Sequence, residues 1–205
     1  MTENDAKTWL AARFDTCAVD RLARFVTLLL DEAGRQNLIS AATVPTVWTR
    51  HIVDSAQLLL HAPSGWQHWV DIGAGAGLPG LVVAALCDRQ VTLIEPRKLR
   101  VEFLQQCAET LDLTGVHVIH AKAERVADIV PADVISARAV AKLEALLVAS
   151  AGFAGKHTTY ILPKGESAQS EVASAKRTWH GQFHVKHSIV DPTSGIVVAS
   201  GVAAR

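Results

Sequence analysis

The residues whose types and spacing could do chemistry stand in one run: Val70, Asp71, Ile72, Gly73, Ala74, Gly75, Ala76, Gly77, Leu78, Pro79 and Gly80. The pattern is a strand ending at Asp71, then small residues that let the backbone turn sharply and approach a ligand. A helix follows, beginning near Leu78 with Pro79 in its first turn. That geometry builds a nucleotide-cofactor pocket. The N–H groups at the start of the helix face the cleft at the C-terminal edge of a parallel sheet, where open α/β folds bind their ligands. Glu95 closes the next strand, about 20 residues on, where a carboxylate can accept hydrogen bonds from both ribose hydroxyls of an adenosine-type cofactor.

Spacing alone leaves the cofactor open. Gly75, Gly77 and Gly80 satisfy the G-x-G-x-x-G dinucleotide pattern, so a nicotinamide-dependent oxidoreductase and a purely structural glycine turn stand beside an S-adenosylmethionine enzyme. Three features lean towards S-adenosylmethionine. Asp71 immediately precedes the glycines and is placed to receive a methionine ammonium. No pyrophosphate explains the additional Gly73, and a chain of 205 residues leaves no room for a separate substrate domain. A non-catalytic RNA-binding module that keeps the fold is a third class.

The elements that must position these residues fall into two parts. Residues 1–62 read as helix only, a helical N-terminal cap with a break over residues 34–40. Leu22, Phe25, Val26 and Leu29 make one apolar stripe. Val44, Val47, Trp48, Ile52, Ser55 and Leu59 make a second at helical spacing, with Pro45 in its first turn. Residues 61–65, with Pro63 and Gly65, form a linker. Over residues 66–205 short apolar strands alternate with helices, which implies a mostly parallel sheet covered on both faces. Runs at 183–190 and 196–199 around a turn with Pro192 and Gly195 close the chain as an antiparallel hairpin. The expected class is therefore α/β: a class I, Rossmann-like methyltransferase domain at 66–205 behind a cap at 1–62.

Twenty basic and twenty acidic side chains give a formal net charge of zero, so an RNA partner needs a local patch rather than a whole-molecule field. Residues 151–205 are mildly basic. No apolar run approaches the roughly 20 residues that span a bilayer, and the acidic N-terminus argues against export, so the expected location is the cytoplasm without membrane contact. Cys17, Cys87 and Cys107 lack C-x-x-C spacing and the histidines are scattered, so no metal site is expected.

Seven ordered segments carry a resemblance across nearly the whole chain. Asn37, Leu38, Ile39 and Ser40 come first, then Arg50, His51, Ile52, Val53, Asp54 and Ser55, then the glycine run at 71–80. Ile94, Glu95, Pro96, Arg97, Lys98, Arg100, Phe103 and Leu104 follow, with Ala123 and Glu124. Ala137, Arg138, Ala139, Val140 and Ala141 precede Pro163, Lys164 and Gly165. The glycine run is generic, but the ordered set resembles the RsmG (GidB) family of bacterial 16S ribosomal RNA guanine-N7 methyltransferases. The resemblance implies S-adenosyl-L-methionine as cofactor and N7 of one guanine in the 530 loop as target, position 527 in the usual ribosomal numbering. It places the cofactor on Gly73, Leu78, Ala123, Glu124 and Arg138, to which the loop reading adds Asp71, Gly75 and Glu95. The implied partner is 16S ribosomal RNA, the small subunit or its precursor, met by a monomer.

Each remaining candidate has a role to be tested against geometry. Ala123 and Glu124 follow the third strand and can reach adenine. Arg138 follows the fourth and could hold the cofactor carboxylate or the O6 edge of guanine as a planar fork. Arg50, an RNA-binding candidate, is expected to pair with Asp54 at i, i+4, with His51 on the same face, so that this face anchors the cap or touches RNA. Arg97, Lys98 and Arg100 oppose the positive end of their helix, a conflict that RNA phosphate would remove. Arg97 and Lys98 are expected to point away from the ribose. Lys164 is a further phosphate candidate. Guanine N7 has an in-plane lone pair and loses no proton on methylation, so no general base is expected.

Overall fold

The computed structural model describes all 205 residues. A seven-stranded sheet runs in the order β3-β2-β1-β4-β5-β7-β6. β1 (His68–Ile72) is central, paired in parallel with β2 (Gln90–Ile94) and β4 (Ala132–Ser136). β3 (Val116–Ile119) and β5 (Ala154–Gly165) extend the parallel part outward. β7 (Gly195–Ala204) then runs antiparallel between β5 and β6 (Trp179–His187), the closing hairpin. The chain order therefore reverses beside β1, where ligands of open α/β sheets bind.

Side chains alternating along each strand feed two cores. Trp69, Val134, Ile161 and Ile196 point to one face, while Val70, Ile135, Leu162 and Val197 point to the other. On the first face lies α4 (Gly80–Leu86), every residue of which is buried. A helix apolar all round must be covered on both sides. The N-terminal segment supplies the outer cover: Leu22, Phe25 and Leu29 of α2 (Thr16–Gln36) join the same core as Leu81, Val83 and Leu93. α1 (Glu3–Ala11) opens with a Thr2/Asp5 capping box, and α2 with Asp15 accepting from the Ala18 N–H.

The second N-terminal stripe is helical but not one regular helix. It passes through a 3₁₀ stretch (Ala41–Thr46), a π stretch (Trp48–Val53), the single turn α3 (Asp54–Ala56) and a final 3₁₀ stretch (Gln57–His61). The cause is local competition for donors. Glu3 accepts from the N–H groups of Trp48 at 3.0 Å and Thr49 at 2.8 Å, in competition with bonds back along the helix. Pro45 has no N–H to give. The wound-out turn carries His51 and Asp54 towards the end of β4, and such a π turn often marks a functional site. α5 (Lys98–Thr110) and α6 (Leu143–Ala149) follow the expected pattern. α7 (Ala168–Thr178) was not legible in the sequence, since it buries only Ala168, Val172 and Ala175.

Candidate functional site

The loop after β1 is built to be approached. Gly73, Gly75 and Gly77 all have positive φ, at 65°, 54° and 81°, values that cost a residue with a Cβ roughly 1–2 kcal/mol. The N–H groups of Gly73 and Ala74 both reach the Ile94 carbonyl, at 2.8 and 3.1 Å, so the turn is fixed to the end of β2. Glu95, buried there, accepts from Gly75 N–H and Arg97 N–H, both at 2.9 Å. Each carboxylate oxygen keeps a lone pair for the cleft.

Asp71 does not take the role expected of it. It shares the strand face of Trp69, so its side chain points beneath α4 rather than into the cleft. Its oxygens accept from Gly80 N–H at 2.9 Å and the Ser136 hydroxyl at 2.6 Å, and that hydroxyl accepts from Trp69 Nε1 at 2.7 Å. A Cβ at Gly80 would lie 2.9 Å from Asp71 Oδ2 and 2.2 Å from Leu93. Only glycine lets helix and carboxylate meet. Full burial pushes the Asp71 carboxyl up to about 7.

A cleft of about 600 Å³ opens above the loop, within the range that holds a nucleoside-sized ligand. Gly73, Gly75 and Leu78 line it from the loop, and Glu95, Arg97 and Arg100 from β2 and α5. Ala123 and Glu124, which follow β3, and Arg138, which follows β4 on the other side of β1, line it too. Arg97 thus faces the cleft, contrary to the expectation that it points away, while Lys98 lies outside it, exposed and 3.8 Å from Glu102. Leu38, Lys122 and Val140 also line the cleft and were not singled out. Val140 covers Gly73, where an added Cβ would come 2.7 Å from its side chain.

Residues 138–141 form the wall between this cleft and a second pocket of about 580 Å³. Both Arg138 terminal nitrogens donate to His51 Nδ1 at 3.2 Å, and Nη1 also reaches Asp54 Oδ2 at 3.5 Å. With Nδ1 accepting, the ring proton belongs on Nε2, which donates to Thr43 Oγ1 at 2.8 Å. The Thr43 hydroxyl in turn donates to the Ser40 carbonyl at 2.8 Å. Burial, with the Arg138 and Arg50 charges, holds His51 down to about 4, so the imidazole is neutral. Burial pushes the Asp54 carboxyl up, and Arg138 opposes that rise.

The other basic residues of this pocket are paired differently from expectation. Arg50 pairs with Asp191 at 3.1 Å, not with Asp54, because the π turn swings Asp54 to Arg138. Asp191 is held down to about 2 by hydrogen bonds from Thr193 and Arg50. Lys164 is 7% exposed, donates to the Ala141 carbonyl and pairs with Glu171 at 3.1 Å. Its ammonium anchors the wall loop and is not available to phosphate, which corrects the sequence expectation. Lys142 is exposed on the rim and has no acidic partner. No three His, Cys, Asp or Glu side chains converge as a metal set.

A central parallel sheet with an antiparallel end, a glycine loop after its first strand and an acidic residue after its second define a class I S-adenosylmethionine-dependent methyltransferase. Solved structures share that fold: a SAM-dependent methyltransferase from Aquifex aeolicus aligns over 76% of this chain and 92% of its own with TM-score 0.57 at 13% identity. A fibrillarin/Nop5p complex aligns over 74% and 81% with TM-score 0.58 at 12% identity. The family model of GidB, rRNA small subunit methyltransferase G, matches residues 18–194, and the chain belongs to that family. The ribosomal RNA small subunit methyltransferase G of Novosphingobium aromaticivorans is 46% identical, covering 100% of this chain and 91% of its own length. That of Rhizorhabdus wittichii is 42% identical, covering 100% and 95%.

Proposed function

We propose that this chain methylates N7 of a guanine in 16S ribosomal RNA, position 527 in the 530 loop. In this reading the cleft holds S-adenosylmethionine and the second pocket receives the target base, turned out of its stack. The observation that carries it is the shared wall: residues 138–141 border both spaces, which brings donor and acceptor together there. Glu95 would hold the ribose, Ala123 and Glu124 the adenine edge. With Asp71 turned inward, the Gly73 carbonyl, which accepts no backbone hydrogen bond, replaces it as ammonium acceptor.

The bound cofactor supplies an electrophilic methyl on a sulfonium. Methylation at the N7 lone pair would move positive charge onto the base and release no proton. The protein then needs no general base, and its contribution is placement in line with the methyl together with fixed dipoles. Neutral His51 and the Asp54 carboxylate hold Arg138 at the wall, where one of its N–H groups can meet O6 while N7 stays open. The basic residues left for phosphate are Lys98 and Lys142, with Arg50 at the rim. We further propose that residues 1–62 act as a cap contributing Arg50, His51 and Asp54 to the domain at 66–205, and that the enzyme works as a cytoplasmic monomer on the small subunit or its precursor. No helix is long and apolar enough to cross a membrane.

The test is transfer of labelled methyl from S-adenosylmethionine to 16S RNA and to small subunits, followed by reduction and aniline scission, which cuts only at N7-methylguanine. A single cut in the 530 loop is expected. Label without a cut, or a cut elsewhere, would reject the guanine-N7 assignment.

A further inference from the structure

The apolar face of α7 is small, only Ala168, Val172 and Ala175, and its polar side chains add a second grip on α6. Ser174 and Thr178 both donate to the Glu144 carboxylate at 2.9 Å. One turn earlier, Glu171 reaches the point where α6 begins. Its Oε2 accepts from Leu143 N–H at 2.6 Å and pairs with Lys164 Nζ at 3.1 Å, while its Oε1 accepts from the Ser167 hydroxyl at 2.7 Å. Leu143 N–H is one of the donors that a helix start leaves without an internal partner, and Lys142 before it makes no side-chain cap. Glu171 therefore caps α6 from another helix. Burial opposes its charge, but the bonds from Ser167, Leu143 and Lys164 outweigh burial and hold the carboxyl below its ordinary range.

These bonds end on the wall between the two spaces. Within it Ala139 has φ 56°, a left-handed conformation that a residue with a Cβ keeps only where its surroundings enforce it. The wall is held at both ends. Upstream, Arg138 is fixed by His51 and Asp54. Downstream, Lys164 takes the Ala141 carbonyl and Glu171 the Leu143 N–H. Val140, between the two anchors, lies over Gly73 of the donor loop. We propose that Glu171 is a positioning residue for methyl transfer: with Lys164 it clamps the downstream end of the wall, so that Val140 stays on the donor loop and Arg138 keeps its place at the base pocket. It acts through the wall and not on the methyl group. The assignment rests on reading the two spaces as donor and acceptor sites, and holds whichever base is methylated.

Steady-state methyl transfer to small subunits, with RNA affinity measured across a salt series, tests it. Glu171→Leu loses both the cap and the ion pair and should lower kcat by about 10- to 100-fold, the scale of a small misplacement of reacting groups, with KM for the subunit and the RNA salt slope unchanged. Glu171→Gln keeps an oxygen for the Leu143 N–H and should lose less, and it carries the test if the leucine variant does not fold. Lys164→Met should resemble Glu171→Leu, and the two changes together should cost no more than the worse one alone, because the pair acts as a unit. Wild-type kcat in Glu171→Leu and Glu171→Gln, whatever their melting temperatures, would make the pair a stabilising contact only and overturn the proposal. So would tighter RNA binding with a steeper salt slope in Glu171→Leu and weaker binding in Lys164→Met, which would assign the freed ammonium to phosphate. A wild type that transferred no methyl would bring down the donor and acceptor reading and this assignment with it, whereas an active wild type with unaltered variants removes this assignment alone.

Discussion

The two spaces on either side of residues 138–141 treat charge in opposite ways. In the donor cleft Arg97, Arg100 and Lys122 have no acidic partner, and the one buried acid facing it, Glu95, is held by main-chain N–H groups. In the second pocket Arg50, Arg138 and Lys164 are paired with Asp191, Asp54 and Glu171. A cleft with unpaired cations is suited to a ligand that brings its own carboxylate. A pocket whose charges, Lys142 on the rim aside, are already paired suits a neutral planar base, with donors fixed before it arrives, so that little reorganisation remains for the reaction.

The largest way to break this contrast is at the loop. Gly75→Val places a branched side chain against Arg100 and the Gly73 carbonyl on the cleft side of the loop and forces it into left-handed φ. Binding of S-adenosylhomocysteine should fall below detection in calorimetry, while stability drops by only about 1–2 kcal/mol. A folded variant that still bound the ligand would show that the cofactor does not approach Gly75.

The second pocket should respond in rate instead. His51→Leu removes the acceptor that holds both Arg138 terminal nitrogens and leaves Arg138 to Asp54 and the Arg50 carbonyl. The expected outcome is a fall of about 10- to 100-fold in kcat, with S-adenosylhomocysteine affinity retained, and partial recovery in His51→Asn, whose amide oxygen can accept. If the cofactor affinity fell in step with kcat, the two spaces would not be separable in the way their charges suggest.

A finer division lies within one helix end. Lys98 lies outside the cleft and Arg97 inside it, so the pair should not act together. Lys98→Gln should leave cofactor affinity alone and make the log–log salt dependence of RNA binding shallower by about 0.7–0.9, the value for one lost phosphate contact. Arg97→Gln should weaken cofactor binding as well. Identical salt slopes for Lys98→Gln and wild type would mean that this lysine is merely solvated.

Much of the donor cleft was legible because its determinants are local. Glycine spacing, a strand end and the acid after the next strand lie close in sequence, and Gly73, Gly75, Leu78 and Glu95 line the cleft; Ala123, Glu124 and Arg138, which line it too, were supplied by the family resemblance and not by local spacing. The parallel sheet and closing hairpin follow from the same short-range patterns. Asp71 was misread although the alternation of Trp69 and Asp71 along β1 already contained the answer. The second pocket was largely illegible because its pairs join distant segments: Arg50 with Asp191, Arg138 with His51, Lys164 with the Ala141 carbonyl. Glu3 unwinding the helix at Trp48 is likewise invisible to a 3.6-residue period. Helix spacing favoured an Arg50–Asp54 pair that the π turn separates.

The comparison extends to pH, where the two regions should pull stability in opposite directions. His51, in the second pocket, is held down to about 4, against an ordinary value near 6.5. Between those values the unfolded chain binds the proton more readily, so the stability from neutral His51 is fully present above about 6.5 and is lost as pH falls towards 4. Asp71, beneath the donor loop, is pushed up to about 7, against about 3.9 when free. Here the folded chain binds the proton more readily, so the contribution is fully present below about 3.9 and is lost as pH rises through 7. Between pH 4.5 and 6.5 the two slopes, each at most about 1.4 kcal/mol per unit, oppose each other, and wild-type stability should vary little with pH from this pair. Asp71→Asn keeps the hydrogen-bonding shape without the titration and should expose the His51 slope, with denaturation midpoints rising from pH 5 to 6.5. His51→Gln should expose the opposite slope, with midpoints falling over the same interval. Urea titrations of the three proteins at pH 5, 5.75 and 6.5 decide the matter: if the Asp71→Asn curve runs parallel to wild type, the buried carboxylate is ionised throughout, and the Gly80 N–H and Ser136 hydroxyl hold its charge more strongly than burial opposes it.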